Sequence, residues 1–320
     1  MAECFSATIF GIDGMKTVRI KSYAKINVTL EIVGEQGGYH LLDSLVASVD
    51  LFDLIVLRKR KDKLSSVTMR GLGSESIPPE NNNALKACEM FSEKFGTTGA
   101  DITVYKNIPM GAGLGGSSAD ASGVLRGMAK LYGVTDKQAI CALADSLGSD
   151  TKYMLSGGFA RMRGRGTEIE KLPLSDKLHF LALFPKNSVS SGACYREYDR
   201  LQTGYTDGTN TDECIRALSQ KDLEGVGRCL TNALYLPSAS LQKDVETAYE
   251  EAKEFSPLGV VMTGSGSCVL ALFETKELCE WAKSRYRGKC RTAVLSTLVP
   301  EKVKKGFFNP FVLKTDEWEE

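Results

Sequence analysis

The sequence predicts an α+β protein of two domains. Three observations carry that expectation. The length of 320 residues exceeds the usual ~100–200 residues per domain. Strand and helix patterns are mixed along the chain. The texture also changes beyond Lys171, from long strands and Gly-rich turns to short buried strands separated by helical stretches. One large fold stays open as the alternative. Composition narrows the partners: 40 Lys+Arg against 40 Asp+Glu leave a net charge of zero, without the basic footprint of a protein that lives on nucleic acid or an anionic membrane. With 42% apolar and 25% charged residues, the chain is an ordinary globular one that can fill a core. No run reaches the ~20 apolar residues that span a bilayer. The start, MAECFSATIF, lacks the basic and apolar segments of a signal peptide, so a cytoplasmic protein with a small-molecule partner is expected.

The elements follow in order. In INVTLEIV, residues 26–33, alternation places Ile26, Val28, Leu30 and Ile32 on one face of a strand. Asn27, Thr29 and Glu31 take the other face, and Lys25 joins Asn27 there. GEQGGYH is a Gly-rich turn into a second apolar strand that ends in the basic run Arg58 to Lys63, a solvated hairpin end. From Asn82 to Phe95 the stripe Ala84, Ala87, Cys88, Phe91, Phe95 marks a helix, and ITVYKNI reads as the next strand. A helix opens at Ser117 or Ser118, with Ala121, Val124, Leu125, Met128 and Leu131 on one face and Gly133 as its C-terminal cap. Asp136 caps another, carrying Ile140, Leu143, Ala144 and Leu147; Gly148 stops it and leaves Ser149 and Asp150 just beyond its end. Past Lys171, HFLALF, GVVMTG, CVLALF and TAVLS read as strands, with helical stretches near 211–231, 240–255 and 276–286.

Nine cysteines form no C-x-x-C pair, and His40 and His179 are the two histidines. A multi-histidine metal site is thereby excluded and the cysteines read as reduced packing residues. Carboxylates, lysines and backbone amides are left to carry chemistry. Their focus is Pro109-Met-Gly-Ala-Gly-Leu-Gly-Gly-Ser-Ser-Ala-Asp-Ala121. Here glycines and serines sit where a helix begins and its unpaired N–H groups and dipole attract an anion, phosphate above all. Gly111, Gly113 and Gly116 satisfy G-x-G-x-x-G, but a dinucleotide site needs an acidic residue closing a second strand ~20 residues on. Asp136 has that spacing and starts a helix instead. A Walker loop fails because Ser117 stands where Lys is required. The bland alternative is a merely flexible glycine loop.

The order SYAKINVTL, GGYH, IPMGAGLGGSSADAS, LGSD, GGFARMRGRG and TGSGS strongly resembles the GHMP small-molecule kinases, from about residue 20 to 300. The resemblance implies a two-domain fold. An N-terminal domain, 15–171, would be like the second domain of ribosomal protein S5 and bind ATP; a ferredoxin-like C-terminal domain, 172–300, would carry the substrate. A tail, 301–320, has no assigned role. It further implies that Pro109, Gly111, Ala112, Gly113, Leu114, Gly115, Gly116, Ser117 and Ser118 cradle the phosphates of ATP, with Lys106 and Asn82 as nearby nucleotide contacts. The Ser118 hydroxyl would be a ligand for Mg2+. Asp150 would accept the proton of the attacking hydroxyl, and Lys25 beside it would lower that hydroxyl's pKa and balance charge developing on phosphate. Taken singly, Asp150 reads as a turn residue and Lys25 as a strand lysine; their occurrence together with the loop gives them the catalytic reading.

Lys25-Ile-Asn27 with Gly38-Tyr39-His40 looks most like the members that phosphorylate the 2-hydroxyl of a methylerythritol carrying a cytidine diphosphate handle, in non-mevalonate isoprenoid precursor biosynthesis. By that resemblance His40 bonds the cytosine edge and Tyr39 stacks on or lines its pocket. Asn27 lies near the methylerythritol and phosphate side, and Tyr195 covers the base. Ser191, Gly264, Ser265 and Gly266 complete the substrate side, the last three in a tight turn whose small residues admit close backbone approach. Each aromatic can also be a cleft-wall residue, and the turn a structural hairpin. The chain departs from the usual pattern at Thr151-Lys152 for Val-Pro, Asn232-Ala233 for Asn-Asp, Ser267 for Pro, and Ser117 and Ala119 within the loop. Another small alcohol, homoserine- or mevalonate-like, and a non-catalytic ligand-binding relative therefore stay open.

Overall fold

The computed structural model describes residues 8–12, 15–71 and 82–299; the tail 301–320 lies outside them. The first half comprises β1 (Thr8–Ile12), β2 (Met15–Asn27), β3 (Thr29–Gln36), β4 (Tyr39–Lys59), β5 (Ser66–Arg70), α1 (Asn83–Phe95), β6 (Ala100–Tyr105), α2 (Gly116–Tyr132), α3 (Lys137–Leu147), α4 (Ser149–Ser156), β7 (Phe159–Gly164) and β8 (Glu168–Lys171). β4 is its spine: its first part pairs antiparallel with β3 and β7, its second part with β2 and β6. β1, from the segment before the region of resemblance, adds to β2.

The segment expected as one strand over 26–33 is the end of β2 and the start of β3. Hydroxyls interrupt the ladder there: Leu45 N donates to Thr29 Oγ1 (2.9 Å) and Ser44 Oγ donates to the Thr29 carbonyl (2.5 Å). Its polar face is enclosed as well: Asn27, Thr29 and Glu31 are all buried. α2 begins at Gly116, just before the expected Ser117 or Ser118, and ends as expected, with Gly133 in a left-handed cap whose N–H bonds to the Ala129 carbonyl. It is buried on nearly every side, between α1 and the strands β2 and β4. Gly127 allows that approach, because a Cβ there would stand 2.1 Å from Leu57 Cδ1. Asp136 caps α3 as expected, its carboxylate accepting from Ala139 N at 2.9 Å. Beyond Gly148, however, the chain starts α4 at once, so Asp150 lies in the first turn of a helix rather than in a loop after one.

The second half comprises β9 (His179–Phe184), α5 (Ser191–Leu201), α6 (Thr209–Ser219), α7 (Leu223–Cys229), β10 (Thr231–Asn232), α8 (Tyr235–Leu241), α9 (Lys243–Lys253), β11 (Gly259–Met262), β12 (Val269–Phe273), α10 (Lys276–Arg285) and β13 (Arg291–Ser296). All four expected strands are present and form an antiparallel sheet in the order β11-β12-β9-β13, the ferredoxin-like arrangement. The stretch 211–231 is broken into α6 and α7: the first helix ends at Ser219 and Asp222 caps the second, accepting from Gly225 N at 2.8 Å. Helix α5 is absent from the sequence reading.

The halves interlock. β10 pairs parallel with β3, and one buried apolar cluster runs from Ile26, Leu45 and Leu114 to Phe180, Leu270 and Leu295. A polar knot reinforces the joint: buried Glu31 accepts from both the N–H and the hydroxyl of Thr211 at 2.8 Å, at the start of α6. The eight described cysteines are free. Among the described residues no helix is long and apolar enough to cross a membrane.

Candidate active site

The Gly-rich loop forms one wall of a cleft of about 350 Å³. Its carbonyls are tied outward: Leu114 O accepts from Lys25 N (3.1 Å) and Ala112 O from Cys268 N (3.2 Å). No side chain caps α2 behind it, so the first-turn N–H groups have no partner within the helix and face an anion-sized opening. Gly113 shows why the loop needs glycine. Its φ is +78°, and a Cβ would lie 2.0 Å from the Thr263 carbonyl, so the loop and the turn 263–267 touch backbone to backbone. Asn232 fixes that turn from below, its Nδ2 donating to Met262 O (2.5 Å) and Gly264 O (2.9 Å).

Most of the expected site residues share this cleft. Pro109, Gly111, Ala112, Gly113, Leu114, Gly115, Gly116, Ser117 and Ser118 line it together with Asn82 and Lys106, with Lys25 and Asp150, and with Ser191, Gly264, Ser265 and Gly266. Lys25, from the end of β2, and Asp150, from the first turn of α4, meet there with Nζ 3.4 Å from Oδ2. Lys25 is held: Nζ donates to Asn27 Oδ1 at 2.6 Å, and Asn27 Nδ2 donates to Ser44 Oγ at 2.8 Å. Asn27 is therefore a buried support for Lys25 and does not line the cleft. Ser191 Oγ and Ser265 Oγ lie 2.8 Å apart and join α5 to the turn. Asn82 Oδ1 caps α1 through Ala84 N at 2.9 Å, while its Nδ2 is buried without a partner on the cleft side.

Two carboxylates that the sequence reading did not assign to the site hold Lys106: Asp120, which lines the cleft, and Asp53, buried behind it. Lys106 Nζ donates to Asp53 Oδ2 and to Asp120 Oδ2, the latter at 2.7 Å. Asp53 Oδ1 also accepts from the N–H groups of Asn107 (2.5 Å) and Ile108 (2.8 Å). Burial works against the Lys106 ammonium, but Asp120 and Asp53 outweigh it and hold its pKa above the ordinary lysine value. Burial pushes the Asp120 carboxyl up to about 8 against the pull of Lys106, with Asp53 adding to the rise. Asp120 Oδ1 has no protein partner and its residue lines the cleft. No local motif marks Asp53; the signal for Asp120 is its place two residues after Ser118 in the loop segment.

The aromatic residues sit apart from this cavity. His40, at the start of β4, stacks on Tyr195 (centroids 5.1 Å apart, 21° between planes) and lies perpendicular to the Tyr198 ring, centroids 5.3 Å apart. Its Nε2 lies 2.7 Å from Asp199 Oδ1. Tyr195, Tyr198 and Asp199 occupy one face of α5. Burial raises the Tyr195 phenol above its ordinary pKa, and the Asp150 carboxylate adds to the rise. Tyr39, on the opposite face of its strand, is 52% exposed and covered by Arg165, whose Cζ is 3.5 Å from the ring centroid. Thus Tyr39 and Tyr195 do not face each other across a slot, and one face of the His40 ring is already taken by Tyr195.

The sequence family described as GHMP kinases N terminal domain matches residues 82–160, and that described as GHMP kinases C terminal matches residues 214–288. The 4-diphosphocytidyl-2-C-methyl-D-erythritol kinase of Caldicellulosiruptor saccharolyticus is 33% identical, covering 87% of this chain and 96% of that protein. The protein of the same name from Clostridium tetani is 30% identical, covering 88% and 100%. A crystal structure of 4-(cytidine 5'-diphospho)-2C-methyl-D-erythritol kinase superposes with a TM-score of 0.72 at 27% identity, over 87% of this chain and 98% of that one. Homoserine kinase from Cytophaga hutchinsonii shares the fold, with a TM-score of 0.69 at 18% identity over 88% and 95% of the two chains.

Proposed function

The chain belongs to the GHMP kinase family, and we propose that it transfers the terminal phosphoryl group of ATP to the 2-hydroxyl of 4-diphosphocytidyl-2-C-methyl-D-erythritol, a step toward isoprenoid precursors on the non-mevalonate route. The observation that carries the reading is the meeting of Lys25 and Asp150, 3.4 Å apart, in the cleft walled by the Gly-rich loop. Phosphoryl transfer asks chiefly for positioned charge. The amides at the start of α2 hold the phosphates, with Lys106 beneath them. Asp150 accepts the proton of the attacking hydroxyl as the new P–O bond forms and the bond to ADP breaks. Lys25, fixed by Asn27, stabilises the incipient alkoxide and the charge on the moving phosphoryl group.

The cleft also suits a phosphate-bound Mg2+. Its donors there are oxygens, the Ser118 hydroxyl and the Asp120 carboxyl, and Asp120 Oδ1 has no protein partner. Mg2+ takes one or two protein oxygens plus substrate phosphates, and when bound it would neutralise charge on the β- and γ-phosphates. We assign residues 15–171 to ATP and 172–300 to the substrate, with the cytidine end of the handle directed toward Tyr39, His40 and Tyr195. From Ser191 at the cleft to Asp199 beside His40, α5 advances about 12 Å at 1.5 Å per residue, a span that a diphosphate-linked nucleoside bridges. The test is ADP release with purified 4-diphosphocytidyl-2-C-methyl-D-erythritol, homoserine and mevalonate in parallel. Turnover with the first alone is expected; turnover with one of the other alcohols alone replaces this reading with theirs, and ATP binding without turnover of any points to a non-catalytic relative.

A further inference from the structure

We propose that Asp199 is a positioning residue that fixes His40 as a hydrogen-bond acceptor for the exocyclic amine of the substrate's base, and so makes the site favour cytosine over uracil. The inference rests on the substrate reading above and deepens it. A carboxylate can only accept. With Asp199 Oδ1 2.7 Å from His40 Nε2, a neutral ring therefore carries its proton on Nε2 and a lone pair on Nδ1. That nitrogen has no hydrogen bond among the described residues. The ring is held in this orientation, since Tyr195 stacks on one face and Tyr198 packs perpendicular to it, and its side chain is 13% exposed. An accepting Nδ1 matches the N4 amino group of cytosine and opposes the O4 carbonyl of uracil, which would leave two acceptors facing each other.

Selectivity here is thus set one residue back from the ligand, by an aspartate on α5 that need not touch the base. Tyr195, Tyr198 and Asp199 come from one turn of that helix, so the second half of the chain dictates the chemistry of a side chain on the first.

The tautomer is read directly by long-range ¹H–¹⁵N correlation spectra of histidine-labelled protein at pH 8, above the ordinary histidine pKa of ~6.5. His40 and His179 are the two histidines, and His179, whose Nδ1 lies 2.9 Å from Ser296 Oγ, is the internal control. The wild type is expected in the Nε2–H form and Asp199→Ala in a mixture. Asp199→Asn retains an acceptor oxygen and should keep the Nε2–H form. Asp199 is 57% exposed, so both variants are expected to fold. In parallel, wild type should bind CDP roughly tenfold tighter than UDP, with the ratio falling toward one in Asp199→Ala and largely restored in Asp199→Asn. An Nδ1–H tautomer in the wild type, or a CDP:UDP ratio that Asp199→Ala leaves intact, overturns the proposal. If the wild type binds neither nucleotide, the substrate reading fails on its own, and the spectra alone decide what Asp199 does to His40.

Discussion

Replacing Asp150 with Asn separates catalysis from architecture. The side chain is 29% exposed, and its ion pair to Lys25 spans 3.4 Å. An ion pair that solvent reaches contributes about 1 kcal/mol or less. Lys25 keeps its 2.6 Å hydrogen bond to Asn27 in the variant, so the ammonium is not stranded. The fold should therefore lose no more than ~1 kcal/mol, a shift of a few degrees in Tm at most. Turnover should respond very differently. Loss of a positioned general base costs ~10²–10⁴-fold, equivalent to about 2.7–5.5 kcal/mol in the barrier. The nucleotide side of the cleft should be largely untouched, because Asp150 pairs with Lys25 while Lys106 pairs with Asp53 and Asp120. The assay measures kcat by coupled ADP release, ATP affinity by calorimetry and stability by urea unfolding on the same preparation. A kcat within about threefold of wild type would refute the base assignment. A large loss of ATP affinity would show that Asp150 acts on the nucleotide instead.

Three further outcomes test the frame around that pair. Asp120→Asn probes the buried cluster: a carboxyl whose folded pKa is raised contributes stability that is complete below its unfolded value, near 4, and lost as pH rises through about 8. Urea unfolding from pH 5 to 9 should thus show the wild type losing on the order of 2–4 kcal/mol relative to Asp120→Asn; parallel profiles would mean that Asp120 is already ionised in the folded protein. Gly113→Ala puts a methyl 2.0 Å from the Thr263 carbonyl at φ +78°. Left-handed backbone alone costs ~1–2 kcal/mol, so lower stability and weaker ATP binding should appear together, and unchanged ATP affinity would uncouple the loop–turn contact from nucleotide binding. Thr211→Val deletes the hydroxyl that donates to Glu31 at 2.8 Å, leaving a buried carboxylate short of a donor. A loss of ~1–3 kcal/mol is expected by urea unfolding, and a neutral result would show that water or Asn210 supplies the missing bond.

The parts of the site that were legible in the sequence are those whose chemistry is local. Four glycines and two serines at the mouth of a helix announce an anion site wherever the helix is placed. The cap residues Asp136 and Gly133 act within a few residues of themselves, so α3 begins and α2 ends where they say, and α1 fills the expected span to Phe95 behind Asn82. Alternation and apolar runs located β9, β11, β12 and β13 for the same reason. Periodicity is silent on what covers a face from far away. Alternation puts Asn27, Thr29 and Glu31 on the polar face of 26–33, and it is Thr211, 180 positions distant, that buries Glu31 there. Helix α5 begins among small and polar residues, SGACY, with weak intrinsic preference, and it is made helical by burying its Cys194 and Tyr198 in the apolar cluster of the second half, beside α8.

The sequence by itself determined which chemistry was available: no metal cage of histidines, a phosphate-seeking loop, and a lysine and an aspartate in the order of a known kinase family. Backbone preferences and motif spacing operate over a turn or two of chain, so one dimension suffices to record them. Tertiary structure alone decided which of those groups meet. It brought Lys25 to Asp150, set Asn27 behind the lysine rather than in the cleft, paired Asp53 and Asp120 across Lys106, and aimed Asp199 at His40. Each is a contact between residues whose desolvation, charge and hydrogen bonding depend on what the packed core carries to within a few ångströms, and no local pattern encodes that distance.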